Sequence, residues 1–136
     1  MRIYIASPLS CASQARHWAS LLRDNCLGVT SRWHDLVLED DARDPSDDQE
    51  RQEILTQNLA DLSRANAVLA LMQTGTPRAT NCELGYALAL SLPVVWLSGP
   101  TDLNTNLFSS HPMVSLTRSG SNALELLLRM AQAVRT

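Results

Sequence analysis

Residues 66–72 read Asn66-Ala67-Val68-Leu69-Ala70-Leu71-Met72 ("NAVLALM"), an unbroken apolar run closed at once by "QTGTP" (73–77). A half-exposed strand alternates apolar with polar residues. A short continuous run bounded by turn residues is instead the mark of a strand covered on both faces, as in a parallel sheet. On its upstream side, Ile54, Leu55, Leu59 and Leu62 recur at helical spacing and predict a helix running towards Ala65. Downstream, "TNCELGYALAL" (80–90) predicts a second helix, and Pro93 then leads into the strand "VVWLSG" (94–99). Helix, buried strand, helix, buried strand is the rhythm of an α/β protein.

Further out the same rhythm holds. "RIYIA" (2–6) is a β-rich run stopped by Ser7-Pro8, and Ala15, Trp18, Ala19, Leu21 and Leu22 set a helix over 13–26. Gly28 reads as that helix's terminator and "GVTSRW" (28–33) as the second strand. The acidic segment "EDDARDPSDDQER" (39–51) reads as a loop, with Ser46 the cap of the following helix. A short run "MVSL" (113–116) and an amphipathic helix over 122–134 close the chain. The expected fold is a doubly wound, flavodoxin-like α/β sheet of five parallel strands, with helices on both faces and right-handed crossovers. At 136 residues it is read as a single domain, 1–136, large enough for one core.

Composition removes several function classes. A formal charge of -3 leaves no basic footprint for nucleic acid, and no basic run suggests a membrane surface. No apolar stretch approaches the ~20 residues of a membrane span, and "MRIYIASPLS" lacks the pattern of a signal peptide. Three cysteines without C-x-x-C spacing (Cys11, Cys26, Cys82) predict a reducing cytoplasm and no disulfide framework. The scattered His17, His34 and His111 predict no metal site, and no cofactor is implied.

Open α/β sheets bind ligands beyond the carboxyl ends of their strands. Four stretches fall there: "ASPLS" (6–10), "SRWHD" (31–35), "QTGTPRATNCE" (73–83) and "SGPTDLNTN" (98–106). The opposite edge is made of short joins such as "RAN" and "LSLP". Neither G-x-G-x-x-G nor a Walker pattern is present, and Ser10 and Ser98 lack a nucleophile-elbow context. The start of the helix after Thr80 offers free N–H groups, but Glu83 in the same turn favours a neutral sugar there over a phosphate.

Glu83 itself has two readings. Thr80-Asn81-Cys82-Glu83 is T-x-x-E, a capping box in which the carboxylate merely closes the helix start. Alternatively it is a nucleophile at the ligand edge, kept ionised by the positive end of the helix.

The ordered set of segments is similar to the nucleoside 2-deoxyribosyltransferase family, which includes nucleotide N-glycosidases. "RIYIASPL" resembles its first strand and ligand loop, "NLADLSRANAVLALM" its central helix and strand, "CELGYALALSLPVVWL" its E-[IL]-G-[YF]-A helix with the next strand, and "NTNLF" its late N-L-[MF] stretch. The resemblance implies that Glu83 attacks the anomeric carbon and carries a covalent glycosyl intermediate. It implies that Tyr4 orients Glu83, and that Asn106 holds the sugar of a neighbouring subunit, making the protein a homo-oligomer, a dimer or larger. Asn58 stands where the family usually has an aspartate, and Pro77 where relatives carry Asp or Ser; Arg78, Asn58 or Asp61 are candidates to take over their work on the base or phosphate.

Other residues carry weaker expectations. Ser7, Ser10, Gly75 and Arg78 are candidate substrate contacts, although serines beside Pro8 also make turns. Trp33 is a candidate to stack on a base, or else a core tryptophan beside a solvated His34. The acidic run Asp40, Asp41, Asp44, Asp47 and Asp48 reads as a solvated loop, with a lid or metal binding the alternatives, and His111 as a turn residue. The function expected is cleavage of the N-glycosidic bond of a (deoxy)nucleoside or its 5′-monophosphate, the sugar passing to another base or to water. The alternative is a nucleotide-binding module without turnover.

Overall fold

The computed structural model describes residues 1–36, 47–72, 78–99 and 107–135. Five parallel strands form one sheet: β1 (Arg2–Ala6), β2 (Gly28–Val29), β3 (Ala67–Met72), β4 (Val94–Ser98) and β5 (Val114–Thr117). Their order is β2-β1-β3-β4-β5, the flavodoxin-like arrangement expected. All of β3 and β4 is buried, whereas β2 and β5 at the edges are partly open. The unbroken apolar run therefore marks the central strand, because helices cover both of its faces.

The helices are α1 (Ala12–Asp24), the short α2 (Trp33–Leu36), α3 (Asp48–Ser63), α4 (Arg78–Ala89) and α5 (Gly120–Arg135). α1 buries Ala12, Ala15, Trp18, Ala19 and Leu22, the stripe its spacing predicts. The Trp18 ring packs beside Gly120, joining α1 to the start of α5. α4 rests on β1, β3 and β4 and touches α3. α3 buries only Asp61 and Leu62 within its own length, while Ile54 and Leu55 are exposed.

Several local expectations are corrected. α1 is closed by Cys26 in the left-handed region (φ 62), with Leu27 N–H donating to Leu22 and Cys26 N–H to Arg23. This is a Schellman closure built on a non-glycine residue, and Gly28 already belongs to β2. Ser91 (φ 58) closes α4 with the same hydrogen bonds. The second strand covers two residues rather than six, and Trp33 opens a short helix. Asp47 caps α3 by accepting from Gln49 N–H at 2.9 Å, and Asp48 is already helical. Ser46, Asp40, Asp41 and Asp44 lie outside the described residues.

Candidate active site

α4 begins at Arg78, two residues before Thr80. Thr80 is therefore inside the helix and buried, and T-x-x-E does not stand at the helix boundary. The capping box fails, because a cap residue must lie outside the helical turn that it closes. Glu83 is free for other work.

β1 alternates, with Ile3 and Ile5 on one face of the sheet and Tyr4 on the other, below α4. The Tyr4 side chain is wholly buried. Its hydroxyl and the carboxylate of Glu83 are close enough for each to shift the other's ionisation. Yet Tyr4 Oη and Glu83 Oε2 are both buried without a hydrogen-bond partner among the described residues. Burying a polar oxygen without a partner costs roughly 1–3 kcal/mol, so two side by side are costly unless a ligand completes them.

Burial pushes the Glu83 carboxyl up to about 7, offset in part by the nearby Tyr4 hydroxyl. Burial outweighs the Tyr4 contact, and Glu83 sits in the second turn of the helix, where the favourable dipole has faded. Burial also raises Tyr4 far above the ordinary phenol range, with the charges of Glu83 and Asp61 acting in the same direction. Tyr4 is thus a neutral donor at any working pH, beside a carboxylate that titrates near neutrality.

Asp61 lies on the same side of the sheet. Its carboxylate is fully buried and gripped by Arg32, whose Nε donates at 3.0 Å to each oxygen and whose Nη2 donates at 2.7 Å. Arg64, just past the end of α3, adds a further bond. With its oxygens so occupied, Asp61 is a structural anchor and not a substitute base-holding group. Asn58, one turn earlier on α3, is half-buried.

The remaining candidates divide. Ser7 is buried with its hydroxyl turned to the Pro8 carbonyl (3.3 Å), and Ser10 is exposed beside Cys11. Trp33 is buried and spends its indole N–H on the Ile5 carbonyl at 2.8 Å; stacking on an exposed base does not fit that position, and the core role does. His34 is buried rather than solvated. Arg78 opens α4 at the carboxyl edge of β3, as does the Glu83 turn that follows. Gly75, Pro77 and Asn106 lie outside the described residues. Among the described residues no cluster of ligand-type side chains suits a metal ion.

Sequence reasoning missed the Arg32–Asp61 anchor and the burial of His34. The arginine and the aspartate are separated by 29 positions, so no local pattern announces the pair.

Residues 3–112 match the family model described as nucleoside 2-deoxyribosyltransferase. The chain belongs to the nucleoside 2-deoxyribosyltransferase family. It is thereby one of a family of enzymes, concerned with glycosyl transfer and cleavage. Among solved structures, a 2-deoxyribosyltransferase from Bacillus psychrosaccharolyticus superposes with a TM-score of 0.70 at 22% identity, over 91% of this chain and 90% of that one. The CMP N-glycosidase of Clostridium botulinum follows with a TM-score of 0.63 at 12% identity, over 93% of this chain and 98% of that one. At those identities the likeness bears on the fold. None of the curated proteins searched matches the chain in sequence.

Proposed function

We propose that this member of the family cleaves the N-glycosidic bond of a (deoxy)nucleoside or its 5′-monophosphate through a covalent glycosyl–Glu83 intermediate, and passes the sugar to another nucleobase or to water. The observation that supports this reading is the pair of buried, unpartnered oxygens, Tyr4 Oη on β1 and Glu83 Oε2 on α4, which packs against it. A carboxylate with an unpartnered oxygen is poised to meet the positive charge that develops at an anomeric carbon.

In this mechanism ionised Glu83 forms a bond to the anomeric carbon as the carbon–nitrogen bond breaks. The base leaves with that electron pair and gains a proton. A nitrogen of a second base, or a water oxygen, then attacks the same carbon, giving up its proton and returning the carboxylate. Tyr4 donates to Glu83 and fixes its orientation, and the Asn58 amide serves at the rim. Ser7, Ser10, Gly75, Arg78 and Asn106 contact the sugar, base or phosphate. No metal or organic cofactor is required.

The protein works as a homo-oligomer in a cytoplasmic setting, with Asn106 completing a neighbour's site. Exposed Ile54 and Leu55 on α3, Tyr86 and Leu90 on α4, and Phe108 supply an apolar surface suited to a second copy. Sedimentation at micromolar concentration tests this: a species of only 15.0 kDa contradicts it. The function is tested by incubating the protein, in EDTA, with deoxynucleosides and their monophosphates. Release of free base is expected, and a second base separates transfer from hydrolysis. Absence of base release from any of them, or activity that needs an added divalent ion, overturns the reading.

A further inference from the structure

β2 ends at Val29, opposite Ile3, although β1 continues to Ala6. Past that point two side chains stand in for the missing backbone ladder. Ile5 N–H donates to Ser31 Oγ at 3.1 Å, and the Ile5 carbonyl accepts from Trp33 Nε1 at 2.8 Å. Ser31 in turn meets His34 Nε2 at 3.0 Å, and His34 Nδ1 lies 3.3 Å from Asp35 Oδ1. Ser31 and His34 are buried, and the imidazole packs edge-on against Trp33 with centroids 5.5 Å apart. The charged groups facing His34 are Asp35 on its own helix, and Arg16 and Arg23 from α1. Arg16 donates to the His34 carbonyl at 2.8 Å, and Arg23 lies 4.0 Å from Asp35.

We propose that Ser31, His34 and Asp35 form an acid-released clasp that positions the end of β1, and with it Tyr4 and the Ser7 turn. Ser–His–Asp is here no hydrolytic triad, since Ser31 Oγ is buried and already accepts an amide. The chemistry follows from counting protons. With His34 neutral and its proton on Nδ1 towards Asp35, Nε2 accepts the Ser31 hydroxyl, leaving Ser31 a lone pair for Ile5 N–H. A proton on Nε2 turns that acceptor into a donor to the second Ser31 lone pair, so the Ser31 hydroxyl hydrogen must rotate away and is left without a partner in a buried place, which weakens the hold on Ile5. Burial holds His34 below the usual histidine range, opposed by Asp35 and aided by the two arginines. The clasp is closed at neutral pH and opens only on acidification below that range.

NMR titration of the Glu83→Gln variant tests this without reference to catalysis and without the Glu83 titration beside Tyr4. The His34 ring should titrate below its ordinary value of 6.5, and the Ile5 amide and Trp33 indole N–H signals should move with the same midpoint. Ser31→Ala should remove the pH response of the Ile5 amide. Asp35→Asn, at a half-exposed position, should move the His34 midpoint further down. A His34 midpoint at the ordinary value with a silent Ile5 amide overturns the clasp. So does an Ile5 amide that responds unchanged in Ser31→Ala. Should Ser31→Ala not fold, an unmoved midpoint in Asp35→Asn overturns it alone.

Discussion

Two buried polar regions of this molecule are built on opposite terms. Around Ser31, His34 and Asp61, the buried side-chain polar atoms have partners: an amide, a serine hydroxyl, a carboxylate, two guanidinium groups. Between β1 and α4, Tyr4 Oη and Glu83 Oε2 have none among the described residues. The first region holds the chain in place, and satisfied networks of this kind make one arrangement unique. The second is an unpaid polar cost, tolerated where a ligand completes it. On the proposed function, binding machinery and fold machinery are told apart by hydrogen-bond satisfaction, although each includes a carboxylate.

The largest effect that sharpens this contrast belongs to Glu83→Gln. Base release should fall at least ~1,000-fold, about 4 kcal/mol of barrier, since the charge that meets the oxocarbenium is gone. Stability should go the other way at high pH. A carboxyl whose folded value is raised to about 7 from 4.5 favours the neutral form in the native state, so its ionisation costs stability as pH climbs through that window. Glutamine never ionises. Melting at pH 8 should therefore be higher for the variant than for the wild type, and the two should converge near pH 4.

Asp61→Ala reverses that pattern. Removing the anchored carboxylate strands two half-exposed arginines, which water can partly reclaim, so the loss should be about 2 kcal/mol of stability, below that of a fully buried pair. A fall of several degrees in melting temperature is expected. A variant that melts with the wild type would deny the anchor.

Tyr4→Phe should cost roughly 10-fold in turnover with little or no loss of stability, because the hydroxyl it removes makes no well-formed hydrogen bond until substrate draws it onto Glu83. The pH dependence of kcat/KM should rise towards alkali with an apparent midpoint near the Glu83 value of about 7, since the free enzyme's nucleophile must be ionised. A flat profile from pH 5 to 8 would contradict that assignment.

Much of this was legible in the chain, for physical reasons. The strands in "NAVLALM" and "RIYIA" were visible because two-sided burial erases alternation. The Glu83 helix was visible from its apolar run, although its start was not: Thr80 offered a cap that the helix, beginning at Arg78, does not use. β2 was over-read, because Ser31 and Trp33 side chains replace backbone pairing and the sequence does not distinguish the two. Tyr4 entered through family resemblance, as strand tyrosines usually only pack. The buried environment of His34 depends on Trp33 and α1 folding over it, which no local pattern announces.

The central claim is a covalent bond between Glu83 and the sugar. Rapid acid quenching of the protein with a deoxynucleoside or its monophosphate, followed by intact-mass and peptide-mass measurement, reads that bond directly. The account predicts a population heavier by one glycosyl unit, mapped to the peptide that contains Glu83 and absent from Glu83→Gln. Base release by the wild type with no adduct at any quench time, together with near-wild-type turnover by Glu83→Gln, would contradict it.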